Sequence, residues 1–308
     1  MLNFFHPTVR SWFAKELGEP TRAQLEAWPA IARGEHTLLL APTGSGKTLA
    51  AFLIAINRLM FERVATERAD ESSGQTVKSG VSVLYISPLK ALGVDVERNL
   101  RRPLFGIQHA ADAADQPYRL PTVAIRSGDT DPTERRQIAR NPPDILITTP
   151  ESLFLILTSK AREILRNVDT VIIDEIHSLV ASKRGSHLFV SLERLEALRR
   201  QHTPDRPAAQ RIGLSATQRP LDEVARLLGG ADRSSSIDST VVPRNVSIIE
   251  AGRKRQLELT IEVPVEDMSQ LAESQPPTQQ RSTKGRARKR EPQPAISSIW
   301  PAIHPRLV

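Results

Sequence analysis

Two short stretches hold residue types that could act together on one substrate. The first is Ala41-Pro-Thr-Gly-Ser-Gly-Lys-Thr48. Gly44 and Gly46 allow the backbone to turn its N–H groups toward an anion, with Thr43 and Ser45 completing the turn. Lys47 adds a positive charge suited to the β- and γ-phosphates of a nucleotide, and the Thr48 hydroxyl suits Mg²⁺. The usual first glycine of such a loop is Ala41 here, so the general pattern is met only in its second half. The second stretch is Val171-Ile-Ile-Asp-Glu-Ile-His177, in which an apolar run delivers Asp174 and Glu175 side by side. Asp174 suits holding a metal through its water shell, and Glu175 suits orienting and deprotonating an attacking water. A strand ending in solvated acids is common, and a lone histidine such as His177 is more often a surface residue than a functional one. The lysine-threonine pair upstream, on a strand of the same kind, favours the catalytic reading.

These groups need elements to hold them. Thr37–Leu40 reads as a buried strand, and the apolar period after Thr48 is helical, fading near Arg63. Further short apolar runs predict strands at 81–88, 122–125, 144–150, 170–175 and 211–217. Helical spacing lies between them at about 91–101, 133–140, 151–165, 186–200 and 220–228. A loop is expected over 103–121, and a polar one over 65–80. Before the first strand come two helical pieces, one around Trp12, Phe13 and Leu17 and one from Thr21 with Leu25, Trp28 and Ile31, broken at Gly18 and Pro20. Strands alternating with helices predict an α/β fold, a mostly parallel sheet flanked by helices, with function at the carboxyl ends of the strands. The candidate groups all fall at those ends.

After Gly230 the character changes. Gln256–Val265 alternates, with Leu257, Leu259, Ile261, Val263 and Val265 on one face, as a half-exposed strand does. The composition of 269–295 predicts disorder. The expected organisation is therefore N-terminal helices over 1–36, the main α/β lobe over 37–230, a strand-containing extension over 231–268 and a basic linker over 269–308. The net charge of +7 suggests nucleic acid, but 281–290 alone holds six of the 42 basic residues and no acid. Without that run the chain has 36 basic against 35 acidic residues, so contact with nucleic acid by the lobe must come from local groups. The chain of 308 residues has no cysteine, which excludes disulfides and suits a reducing compartment. No apolar run approaches the roughly 18 residues of a membrane span, and no signal-peptide pattern opens the chain, so a cytoplasmic location is expected.

Taken together, the loop at 41–48, Asp174-Glu-Ile-His177 and Ser215-Ala-Thr217 resemble the superfamily 2 helicases, with the fit closest to the large helicase-related (Lhr) proteins. Pro20-Thr21-x-x-Gln24, Ser87-Pro-Leu-Lys-Ala-Leu92, Arg126-Ser-Gly-Asp-Thr130 and Thr148-Thr-Pro-Glu-Ser152 support it. These motifs run in the family's order over 20–217, and the likeness continues loosely through Pro264–Met268 to the end. As a set they are specific; only the first is convincing by itself. The resemblance implies a RecA-like P-loop NTPase lobe of an ATP-dependent DNA helicase, using ATP and Mg²⁺, working on single-stranded DNA and serving DNA repair. It implies that Gln24, beside Thr21, reads the adenine edge through a bidentate amide contact. Phe4, Phe5 and His6 either stack on the base or pack in the core. It further implies that Ser87, Pro88, Leu89 and Lys90 lie along a nucleic-acid strand, continued by Arg126, Gly128, Thr149 and Glu151. Without the family, strand-end capping is an equally good account of each. Ser215 and Thr217 would link the ATP site to that track through His177.

Helicases of this group close ATP between two RecA-like lobes, the second supplying arginines. The 78 residues after Gly230 are too few for another lobe. Gln210-Arg211-Ile-Gly213 resembles the second-lobe arginine motif but runs straight into Ser215-Ala-Thr217, so it belongs to the first lobe. Gly285-Arg-Ala-Arg288 has no element to position it. The expectation is a first motor lobe, truncated and weakly active alone. Two alternatives stand beside it: an RNA helicase, also accepting DNA–RNA hybrids, and a non-unwinding ATP-switched binding module that uses its basic tail.

Overall fold

The computed structural model describes residues 2–62, 80–216, 219–233 and 241–252, all within one unit, Met1–Arg253. The strand expected at 256–265, the basic run at 281–290, most of the polar loop at 65–80 and Thr217 lie outside the described residues.

Five strands are buried at nearly every position and carry apolar runs: β1 (His36–Leu40), β2 (Val83–Ile86), β4 (Ile145–Thr148), β5 (Thr170–Ile173) and β6 (Gln210–Ser215). Such continuous runs require cover on both faces. They pair, all parallel, with β3 (Val123–Arg126) and β9 (Val246–Glu250) in the order β3-β4-β2-β5-β6-β1-β9. Successive side chains alternate between the faces. Leu39, Val83, Tyr85, Ile145, Ile147, Ile172 and Ile212 enter one core, and Leu38, Leu84, Ile86, Leu146, Val171 and Ile173 the other. The first core is covered by α1 (Pro7–Glu16), α2 (Arg22–Ala32), α3 (Lys47–Asn57) and α4 (Lys90–Ala113). The second is covered mainly by α6 (Pro150–Leu157), α8 (Lys183–His202) and α9 (Leu221–Gly229). Between them in the chain lie α5 (Pro132–Arg140) and the one-turn α7 (His177–Val180).

The six strands expected from the sequence are present. Three expectations change. The loop expected from 103 is helix as far as Ala113, passing through Pro103. Val96, Leu100, Leu104, Ile107 and Ala111 form one buried seam against the first core, and that burial outweighs the hydrogen bond a proline removes. The single helix expected over 151–165 is α6 followed by a 3₁₀ stretch, Lys160–Leu165, restarted by the Ser159 side chain at the Ala161 N–H. β9 was not signalled by the sequence: its residues are only half-buried, as at a sheet edge, so the apolar pattern is weak. A short antiparallel pair, β7 (Ala231–Arg233) with β8 (Val241–Pro243), precedes it. Trp12, Phe13, Trp28 and Ile31 are core, whereas Leu17 and Leu25 are exposed.

Candidate functional site

Strands β1 and β5 flank β6, so their carboxyl ends emerge on one edge, about 10 Å apart at the usual strand spacing. β1 runs into the glycine loop, whose Ala41 N–H donates to the Ser215 carbonyl at 3.1 Å. Gly44 and Gly46 take φ of 80° and 79°, the left-handed region that side chains disfavour. Gly46 directly precedes α3, so Lys47 opens that helix. Lys47 is 7% exposed and its Nζ makes no hydrogen bond within the chain. Burial lowers its pKa, opposed by the charges of Glu175 and then Asp174. An ammonium carries three donors, and one sequestered without an acceptor is costly until an anion arrives.

β5 delivers the acids to the same place. Asp174, 8% exposed, accepts from the Glu175 N–H at 2.9 Å through Oδ1 and from the Tyr85 hydroxyl through Oδ2. Lys47, Thr48, Asp174 and Glu175 line one cleft of about 610 Å³, floored by Thr43, Gly44 and Gly46 and walled by Val96, Asn99 and Arg102 of α4. The sequence did not mark that wall. Glu175 Oε2 lies 3.2 Å from His177 Nδ1, which is 3.3 Å from Ser215 Oγ at the end of β6. His177 and Ser215 thus lie in a chain of side chains leading from Glu175.

Thr21 and Gln24 form a capping box at the start of α2: the Thr21 N–H donates to Gln24 Oε1 at 2.9 Å, and the Gln24 N–H to Thr21 Oγ1 at 3.3 Å. The Thr21 hydroxyl donates to the Ser45 carbonyl at 2.8 Å, tying α2 to the loop. Gln24 is buried, so one half of its bidentate amide edge is engaged within the chain. Of the aromatics considered for base stacking, Phe5 is buried edge-on to Trp28, and His6 stacks on Phe61 at 4.0 Å. Phe4 packs edge-on to Phe5.

The remaining candidates sit at the ends of β2, β3 and β4, three adjacent strands. Ser87 is buried, its hydroxyl donating to the Leu89 carbonyl at 2.9 Å; Pro88 is buried and Leu89 exposed. Lys90 begins α4. Arg126 Nη1 is buried without a partner, and burial, then neighbouring Arg135, lowers the guanidinium's pKa. Arg135 donates to the Gly128 carbonyl at 2.6 Å, closing the loop after β3. Thr149 caps α6. Glu151 is paired with Arg184 of α8, whose Nη2 donates to Oε2 at 3.0 Å; that hydrogen bond is the main cause holding its pKa at about 2. Arg184, Arg135 and Tyr85 were missed from the sequence. Only Tyr85 carried a signal, as the one polar side chain inside the Val83–Ile86 run.

The donors suit Mg²⁺. The Thr48 hydroxyl and Asp174 carboxylate offer hard oxygen donors, and this ion keeps several waters and takes only one or two carboxylates from the protein. No cluster of three or more His, Asp or Glu side chains suited to a metal occurs among the described residues.

Residues 21–225 match the DEAD/DEAH box helicase family. The chain is 47% identical over 307 residues to the Lhr helicase/probable uracil glycosylase of Mycolicibacterium smegmatis, covering 100% of this chain and 17% of that protein. It is 46% identical over 300 residues to the Lhr helicase/uracil glycosylase of Escherichia coli, covering 97% and 17%. A solved structure of the Mycobacterium smegmatis helicase Lhr bound to ssDNA and AMP-PNP superposes with TM-score 0.70 at 45% identity, covering 99% of this chain and 32% of that one. The chain thus spans about a sixth of the length of these two curated relatives.

Proposed function

The chain belongs to the DEAD/DEAH box helicase family, and from that premise we propose that it is the first RecA-like, ATP-binding lobe of an Lhr-type DNA helicase. The observation that carries this reading is Lys47: a buried ammonium without a hydrogen-bond partner, in one cleft with two carboxylates. A triphosphate supplies the missing acceptors. In this account the backbone amides from Thr43 to Gly46, the α3 N-terminus and Lys47 hold the β- and γ-phosphates. Thr48 and Asp174 hold Mg²⁺, which neutralises charge on the phosphate oxygens. Glu175 orients the attacking water and takes its proton. His177 relays the state of that carboxylate to Ser215, and Thr217 extends the relay. Thr21 and Gln24 brace the loop, and Gln24 reads adenine once its amide is released from the capping box.

Single-stranded nucleic acid runs along the ends of β2, β4 and β3, past Ser87 to Lys90, Thr149, Glu151, Arg126 and Gly128. The unpartnered Arg126 Nη1 supports this track, because a phosphate would satisfy it. Such contacts grip the backbone, so preference for DNA over RNA is assigned on the relative solved with ssDNA. Unwinding, DNA repair and a cytoplasmic location are assigned to the longer protein. Residues 1–36 and 37–230 act as one lobe, 231–268 as its extension and 269–308 as a linker to a second lobe.

The test is an ATPase assay on the 308-residue protein with single-stranded DNA, beside binding of a fluorescent ATP analogue. A first lobe assayed without a partner lobe's arginine is expected to turn over roughly 10³–10⁵-fold more slowly than a closed motor. Measurable nucleotide binding is expected, and Lys47→Ala abolishes it. Robust turnover by the lobe alone would refute the need for a partner lobe, and unchanged binding by Lys47→Ala would refute the site.

A further inference from the structure

Asp174 is gripped by two donors, and only one of them is backbone. The Glu175 N–H takes Oδ1 and the Tyr85 hydroxyl takes Oδ2. A carboxylate offers about four lone-pair sites, so two remain for the cleft. Tyr85 itself is fully buried in β2. In the β2–β5 register Tyr85 lies opposite Ile172, two residues before Asp174. The three side chains therefore share a sheet face, and the phenol is long enough to reach the end of the next strand. Its ring stacks on Phe52 with centroids 5.0 Å apart and planes 23° apart. Phe52 is one helical turn after Thr48 on the same face of α3. One aromatic side chain thus touches both the carboxylate and the helix that presents the hydroxyl ligand.

We propose that Tyr85 is a positioning residue for the magnesium-binding pair, fixing the Asp174 rotamer through its hydroxyl and the α3 face through its ring. This rests on the nucleotide-site reading above. Without the hydroxyl, a mostly buried carboxylate oxygen loses its donor and the group is free to turn. Partners that orient a metal ligand from behind are commonly worth 10–100-fold in metal affinity.

The test uses the full 308-residue chain and a fluorescent ADP analogue, with Mg²⁺ titrated from an EDTA-buffered start. Tyr85→Phe keeps the ring and removes the hydroxyl. The Mg²⁺ concentration for half-maximal enhancement of binding rises about tenfold, while affinity in EDTA stays within about twofold. Asp174→Asn also raises it, and adding Tyr85→Phe to that variant changes nothing further. Superimposable Mg²⁺ titrations overturn the proposal, as does an equal loss of affinity with and without metal, which marks a merely structural role. A wild-type chain with no Mg²⁺-dependent binding overturns the nucleotide-site reading itself, and this inference with it. A second measurement needs no variant at position 85. The chain has two tyrosines, Tyr85 and Tyr118, so ring-carbon NMR of labelled tyrosine gives two signals, assigned by Tyr118→Phe. The Tyr85 signal shifts when Mg²⁺ is added to the nucleotide complex; a stationary signal overturns the proposal.

Discussion

Glu175 has a φ of 45°, a region that residues other than glycine rarely enter. Its carboxylate faces His177 there, and backbone strain of about 1–3 kcal/mol is typical of such positions. Glu175→Gln preserves shape while removing the proton acceptor. In the longer, two-lobed protein it should keep nucleotide binding and lose hydrolysis; a variant that still turns over ATP ends the base assignment. His36 makes a different prediction. Its Nδ1 accepts the Arg211 N–H at 3.0 Å, and burial, then the charges of Arg211 and Arg244, lowers its pKa from 6.5 to about 4. Between those values the unfolded chain binds a proton that the native state refuses. Stability from this group is complete above pH 6.5 and is lost on acidification toward pH 4, by roughly 1–2 kcal/mol once partial solvent access is allowed for. His6, also lowered by burial, acts in the same direction. Carboxylates with lowered pKa, such as Asp144 and Glu193, contribute their acid loss only below their ordinary range. Urea unfolding at pH 7 and pH 5 should therefore show a slope that His36→Gln reduces.

The phosphate loop and α2 are joined more tightly than their separation in sequence implies. Thr21 caps α2 and also holds the Ser45 carbonyl, while Gln24 packs beneath Gly46. A Cβ on Gly46 would lie 2.6 Å from Gln24 Nε2, whereas one on Gly44 meets nothing within 4 Å. Both glycines have the same left-handed φ, so alanine at either costs about 1–2 kcal/mol of backbone energy. Only Gly46→Ala displaces Gln24 as well. It should weaken nucleotide binding more than Gly44→Ala at comparable stability, and equal losses would remove Gln24 from the site. Helix α4 shows the same coupling of packing to function, since its buried seam carries Asn99 and Arg102 to the cleft.

Across the molecule, the lobe's sheet runs past Gly230. β9 lies parallel to β1, the strand that feeds the phosphate loop, and covers an edge that would otherwise be open. Arg244, just before β9, donates to Glu193, Asp232 and the carbonyls of Gly229 and Ala231. Arg244 is buried but both acids are about two-fifths exposed, so breaking this network costs less than the about 3–5 kcal/mol of a fully buried pair. A protein ending at Gly230 should unfold well below the denaturant midpoint of one ending at Gly252. Equal midpoints would show that β9 and Arg244 add nothing to the lobe.

Six strands, most of the helices and the two chemical motifs were legible in the residues, because buried parallel strands are uninterrupted apolar runs and a phosphate loop needs particular residue types in a particular order. The family, too, could be read from motif order. Other features depended on contacts between segments far apart in the chain. Helix α4 continues through Pro103 because its far half finds a core to bury against. β9 is a strand because β1 offers a free edge, not because Val246–Glu250 has a strong pattern. Glu151 meets Arg184 across 33 positions, and Tyr85 meets Asp174 across 89. A run of residues carries its own periodicity, but the partner of a polar side chain is chosen by the packing of the whole sheet.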